Sequence, residues 1–198
     1  MSKDTSLKQN SNFLLIQLVT FARVPITIGV SFILIYTTRS VFVIFLCAAL
    51  LGIAELSDIF DGMFARKLEV VSEWGSMFDP FADSISRLII YWTFAVIGFV
   101  LPFVPLSMAI RDIIVAYSRI ILAQRGKSVS AKLSGKIKAI VQGTGTIIII
   151  IGPLYWGFIG KWTVYALSWI VIVVTLASAV EYAYSAINVL SKEGVRPK

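Results

Sequence analysis

The chain of 198 residues contains no histidine. Imidazole is therefore excluded as general base, proton shuttle or metal ligand, the roles it fills most often near neutral pH. There is one cysteine, Cys47, inside an apolar run, so no intrachain disulfide can form and a packing role is expected for it. Charge is scarce as well. Only 15% of residues are charged while 58% are hydrophobic, and the mean hydropathy is +0.86, a balance that excludes an ordinary soluble domain. Acids are the rarer sign, 11 against 18 lysines and arginines, for a net charge of +7. In a soluble protein that excess would suggest a nucleic-acid partner. Here the basic residues cluster between apolar runs, so a membrane surface is the expected partner and no nucleic acid is.

What is present is a series of runs near the ~20 residues a spanning helix needs. They predict an all-α integral membrane protein of six transmembrane helices, in a single domain over residues 1–198. Asn12–Thr20 is expected to lie along the interface. The spans are placed at about Arg23–Tyr36, Val41–Phe64, Ser76–Val100, Ser107–Ala123, Lys136–Phe158 and Thr163–Val189, the last with Glu181 buried late in it. The connections are expected at Thr37–Ser40, Arg66–Gly75, the proline-bearing turn Leu101–Leu106, the basic stretch Gln124–Gly135, and Gly160–Lys161. The N-terminus is polar through Asn12 and the next apolar run outlasts a signal-sized core, so the first span is expected to be retained. With six crossings, the tails and loops on one side carry twelve lysines and arginines, and the other side only Arg39 and Lys161. That bias predicts both termini, and the acidic stretch considered next, on the cytoplasmic side of the inner membrane.

Within this apolar chain, Asp58-x-x-Asp61-Gly62-x-x-Ala65-Arg66 and Gly75-x-x-x-Asp79-x-x-x-Asp83 place four carboxylates in 26 residues. Residues three or four apart share a helix face, so Asp58 pairs with Asp61 and Asp79 with Asp83. Two such helices side by side can close around hard cations, and without cations the four acids would repel. Aspartates with no histidine suit Mg²⁺ or Mn²⁺ and argue against zinc. A solvated acidic face is the bland alternative, but Asp58 and Asp61 close a run that is apolar from Val41 except for Glu55, and Leu88–Ile110 after Asp83 is uncharged. Ionisable groups in such settings are expensive and mark function.

The full pattern resembles the signature of the CDP-alcohol phosphotransferase family, including both glycines and Ala65-Arg66. The resemblance implies transfer of a substituted phosphate from a CDP-linked lipid, CDP-diacylglycerol, to an alcohol with release of CMP, by a homodimer embedded in membrane lipids. It implies that Asp58, Asp61 and Asp79 hold two divalent ions, while Asp83 touches a metal and takes the proton of the acceptor hydroxyl. It also assigns Gly62, Ala65, Arg66 and Gly75 to the nucleotide and pyrophosphate. The glycines would let nucleotide approach the backbone, although close helix packing explains them equally well. Arg66 would offer a fork of donors.

Arg111-Asp112-Ile113-Ile114, Arg119, and Gly135-Lys136-Ile137-Lys138 with Gln142 resemble the branch of the family that makes phosphatidylglycerophosphate. That branch uses glycerol 3-phosphate as acceptor, and Arg111, Arg119, Lys136 and Lys138 would bind its phosphate. For the lysines, positive surface charge facing the cytoplasm is the competing reading. Arg23, in a Thr20-x-x-Arg23 context like the family's N-terminal segment, either snorkels to headgroups or supports the site. For Arg87, one turn beyond Asp83, the expected role is a structural salt bridge to it. Glu55-Leu56-Ser57, Asp112 and Ala139 depart from the branch's usual residues, which leaves inositol phosphate as the alternative acceptor. A cation-coupled transporter also carries intramembrane acids, but would not explain the glycines and Arg66 at this spacing.

Overall fold

The protein is described here from a computed structural model. It describes the backbone of residues 22–68, 73–124, 133–154 and 160–193, and the side chains at these positions except 57–68, 73–79, 153, 160–161, 190 and 192–193. Among the described residues the structure is all-helical. The elements are α1 (Ala22–Tyr36), α2 (Val41–Leu68), α3 (Glu73–Val96), α4 (Phe103–Ala123), α5 (Leu133–Ile151), a 3₁₀ turn (Gly152–Leu154) and α6 (Gly160–Glu193). The chain divides into two compact units, Met1–Thr93 and Phe94–Lys198.

In the first unit the buried positions of α2 are Ile44, Cys47, Ala48, Leu51 and Ala54, a stripe at helical spacing. Its opposite face is also apolar, with Phe42, Phe45, Leu46, Ile53 and Leu56 exposed. A helix apolar all round belongs in a core or in lipid. The few hydroxyls on α1 are satisfied locally: Thr27 Oγ1 donates to the Arg23 carbonyl at 2.8 Å and Ser31 Oγ to the Thr27 carbonyl at 2.8 Å. Thr93 Oγ1 of α3 then donates to Ser31 Oγ at 2.8 Å, tying α1 to α3 by side chains that need no water.

One sequence expectation is corrected in this unit. The connection expected at Arg66–Gly75 is shorter than that, because α2 runs to Leu68 and α3 starts at Glu73, putting Arg66 and Gly75 inside helices; residues 69–72 lie outside the described residues. Apolar content marks where lipid begins, and backbone hydrogen bonding continues past it. Pro80 lies inside α3 as its eighth residue, where it can supply no N–H to the Ser76 carbonyl.

The second unit begins at the end of α3. Gly98 has φ of +81°, a conformation glycine adopts without strain. The Phe99 N–H bonds to the Phe94 carbonyl at 2.7 Å and the Gly98 N–H to the Ala95 carbonyl at 3.2 Å, with the Phe94 and Phe99 rings 6.3 Å apart. This is a Schellman cap with its hydrophobic contact. The turn expected at Leu101–Leu106 thus falls earlier: Pro102 caps α4, and Pro105 sits in its first turn where no intrahelical N–H is required. Ser168 of α6 accepts the Leu101 N–H at 3.0 Å and anchors the turn.

Helix α6 organises this unit, packing against both α4 and α5. Its buried face reads Ser168, Val171, Ile172, Thr175, Ser178, Ala179, Tyr182 and Ala186. Its outer face exposes Trp162, Trp169, Val173, Val180, Tyr184 and Ile187. Glu181, expected to be buried, lies exposed, one position from Tyr182 and so turned away from the packed face. Lysines 136 and 138 do not open α5, which begins at Leu133, and α6 begins at Gly160 rather than after it. Leu133–Ile151 and Trp162–Val189 are long and apolar enough to cross a membrane. Helices α2, α3 and α4 are long enough at 28, 24 and 21 residues, but each carries charged residues that the functional reading requires.

Candidate functional site

Helical backbone carries Asp58 and Asp61 on α2 and Asp79 and Asp83 on α3, so each pair sits three or four residues apart on a continuous helix. Gly62, Ala65 and Arg66 lie within α2 and Gly75 within α3. The side chains of Asp58, Asp61, Gly62, Ala65, Arg66, Gly75 and Asp79 are outside the described residues. Among the described residues no group of three or more potential metal-ligating side chains gathers.

Asp83 is described, and it does not stand alone. Arg23 Nη1 donates to Asp83 Oδ1 at 3.1 Å, and Arg87 Nε approaches the same oxygen at 2.8 Å, an ion pair rather than a directed hydrogen bond. Neither contact uses Oδ2. On the other side, Arg87 Nη2 donates to Glu55 Oε2 at 3.0 Å and Arg23 Nη2 lies 3.4 Å from that same oxygen. Among the described side chains, Arg23 of α1, Glu55 of α2, and Asp83 and Arg87 of α3 thus meet in alternating ion pairs. The arginine side chains are 6% exposed and the carboxylates 23%. Buried guanidinium groups need such partners, since an uncompensated buried charge costs several kcal/mol. The expected Arg87–Asp83 bridge is present, and Arg23 supports the acidic stretch rather than reaching outward to headgroups. Divalent cations fit this donor set: hard oxygen ligands only, paired on continuous helices, with one Asp83 oxygen held and the other not engaged by the arginines.

In the second unit Arg111, Arg119 and Lys138 are brought together. Arg111 Nη1 donates to Asp112 Oδ1 at 2.7 Å, and its Nε and Nη2 reach Ser178 Oγ at 3.4 and 3.3 Å. Lys138 Nζ is 3.6 Å from the same Asp112 oxygen. The Tyr182 ring carries the Arg111 guanidinium at 5.6 Å and that of Arg119 at 6.0 Å, within cation–π range. Gln142, one turn beyond Lys138, donates to Thr175 Oγ1 at 3.1 Å and fixes α5 against α6. Among the described residues, three cations against one carboxylate leave the group net positive, as an anion site requires. Lys136 is not part of it. It is exposed, and two residues from Lys138 it points to a different side of α5.

Sequence reasoning missed Tyr182, Ser178 and the bridging role of Asp112. A signal was present: Ser168, Thr175, Ser178 and Tyr182 recur at intervals of 7, 3 and 4 in an otherwise apolar helix. Gly135 of α5 also approaches this cluster closely. A Cβ there would lie 3.2 Å from the Tyr182 hydroxyl oxygen and 3.6 Å from Arg111 Nη2. Overpacking costs roughly 1–3 kcal/mol, more than the gain of up to about 1 kcal/mol from replacing a helical glycine by alanine. Gly135→Ala is therefore expected to lower the melting temperature in detergent by roughly 2–4 °C. In a Tyr182→Phe background, which lacks that oxygen, the same substitution should be neutral or stabilising. Equal effects in both backgrounds would contradict the close approach.

Residues 13–189 match the family CDP-alcohol phosphatidyltransferase. The chain is 30% identical over 138 residues to the CDP-diacylglycerol–glycerol-3-phosphate 3-phosphatidyltransferase of Bacillus subtilis, across 68% of this chain and 70% of that protein. It is 34% identical over 125 residues to the protein of the same name from Wigglesworthia glossinidia brevipalpis, across 56% and 68%. To the one from Escherichia coli it is 28% identical over 148 residues, across 72% and 79%. The match reaches from before α1 into α6 and so takes in parts of both units, with the aspartates, glycines and Arg66 at the spacing of the signature: the chain belongs to the CDP-alcohol phosphatidyltransferase family.

Proposed function

We propose that this chain transfers the phosphatidyl group of CDP-diacylglycerol to a hydroxyl of glycerol 3-phosphate, releasing CMP. The observation that carries the choice of acceptor is the net-positive group of Arg111, Arg119 and Lys138 around Tyr182 and Asp112. A phosphorylated acceptor needs such a group and a neutral alcohol does not. The relatives' shared name supports the same reading.

In this reading Asp58, Asp61, Asp79 and Asp83 hold two ions, Mg²⁺ or Mn²⁺, whose charge offsets that of both phosphates of the donor. Arg66 donates to the pyrophosphate, and Gly62, Ala65 and Gly75 leave room for the nucleotide. The acceptor oxygen forms a bond to the phosphorus that bears diacylglycerol. The bond from that phosphorus to the CMP oxygen breaks, and CMP leaves with the electron pair. The hydroxyl proton passes to Asp83, through the oxygen the arginines leave unused.

The test is CMP release by purified protein with glycerol 3-phosphate, inositol phosphate and free glycerol as acceptors. Glycerol 3-phosphate should give the highest kcat/KM. A hydrogen bond to a charged group is worth roughly 1.5–3 kcal/mol, so Arg119→Gln or Lys138→Gln should raise the acceptor KM about 10- to 150-fold. The KM for CDP-diacylglycerol should be nearly unchanged, and Lys136→Gln serves as the outer cation for comparison. Free glycerol used as well as glycerol 3-phosphate would sink the proposal.

The same reading has six spans in the inner membrane, acting as a homodimer, with both termini and the acidic stretch facing the cytoplasm. The basic excess on that side motivates it. A cysteine introduced at Ser128 should resist impermeant reagents applied to intact cells, and labelling from outside would reverse the topology. A single-subunit mass in native detergent measurements would remove the dimer.

A further inference from the structure

We infer that Tyr182 is a positioning residue for the acceptor: its ring face holds the guanidinium groups of Arg111 and Arg119 in place without taking up their N–H donors. The inference deepens the proposed transfer and rests on those arginines binding the acceptor's phosphate. The ring centre lies 5.6 Å from the Arg111 guanidinium carbon and 6.0 Å from that of Arg119. The two arginines are eight residues apart on α4, a rise of ~12 Å along its axis. One side chain of α6 therefore serves both.

A hydrogen-bonding partner would hold an arginine at the expense of the donors a phosphate needs. Hydrogen bonds to Asp112 and Ser178 already occupy the Arg111 Nη1, Nε and Nη2 atoms. An aromatic face attracts the charge through its quadrupole and takes no N–H group. Tyr182 suits that role because it is fixed. It is 2% exposed, one turn after Ser178 on the packed face of α6. Gly135 of α5 gives its hydroxyl room, since a Cβ there would stand 3.2 Å from that oxygen. Arg119, by contrast, is exposed. A long exposed side chain samples many rotamers, and ordering it when a substrate binds lowers affinity. A buried ring that draws Arg119 in beforehand removes part of that cost.

The test changes the electrostatics of the ring at nearly constant shape. Tyr182→Phe is the reference, followed by a graded series of fluorinated phenylalanines at the same position. Fluorine drains negative charge from the ring face and so weakens its hold on a cation. Whatever the tyrosine hydroxyl contributes is absent from every member alike. Across the series the KM for glycerol 3-phosphate is expected to rise stepwise, by about two- to thirtyfold in all. The kcat, the KM for CDP-diacylglycerol and the melting temperature in detergent should stay level, since volume and burial are kept. In an Arg119→Gln background the rise should be shallower, because one of the two guanidinium groups has left the ring. Should Tyr182→Phe fail to fold, fluorinated tyrosines carry the same comparison with the hydroxyl kept. A flat acceptor KM would overturn the inference, as would a slope that Arg119→Gln leaves unchanged or a KM that follows melting temperature instead of fluorination. If Arg119→Gln by itself leaves the acceptor KM unchanged, the acceptor reading falls and the inference with it. If Arg119→Gln raises that KM while the fluorinated series is flat, the inference alone falls.

Discussion

Asp61→Asn or Asp79→Asn is expected to reduce turnover by at least about a thousandfold, or ~4 kcal/mol of transition-state stabilisation, while the protein still inserts and folds. The substitution changes no volume and breaks no helix. It removes one anionic oxygen ligand from a set whose backbone places the pairs three and four residues apart on α2 and α3. Divalent cations need full anionic charge to displace their water. Excess EDTA should abolish CMP release from the unmodified protein, and Mg²⁺ or Mn²⁺ should restore it. Full activity in EDTA would remove the metal from the mechanism.

Asp83→Asn is expected to lower kcat by about 10²- to 10⁴-fold, the usual contribution of a general base. Its ion pairs make this substitution informative. The asparagine carbonyl oxygen can still accept from Arg23 and face Arg87, as Oδ1 does at 3.1 and 2.8 Å. What disappears is the second carboxylate oxygen, replaced by an amide nitrogen that cannot take a proton from a hydroxyl. The substitution also removes a carboxylate charge from beside two buried arginines, so folding must be checked by melting before kcat is compared. A folded, metal-binding Asp83→Asn with near-normal kcat would assign proton removal to another group.

Local periodicity made part of this readable from the chain alone. The helical sharing of Asp58 with Asp61 and of Asp79 with Asp83 needs only 3.6 residues per turn, as does the Arg87–Asp83 bridge at i,i+4. The same rule separates Lys136 from Lys138, although resemblance grouped them. Helix ends were read less well. Hydrophobicity places the edge of the apolar layer, whereas α2 and α3 extend beyond it through Arg66 and Gly75. The Schellman turn at Gly98 was in the sequence as a glycine after an apolar helix, but the prolines at 102 and 105 drew the expected turn to themselves.

By itself, then, the sequence determined the helical class, the apolar surroundings, the absence of imidazole chemistry and the carboxylate pairs, because composition and neighbours within a turn decide these. Tertiary structure alone decided which distant groups meet. Glu55 and Arg87 are 32 residues apart, Arg23 and Asp83 60, and Arg111 and Ser178 67. No short-range pattern encodes such pairs. They form because a buried guanidinium must find its counter-charge or an aromatic face wherever the packing of α1 to α3, or of α4 to α6, brings one.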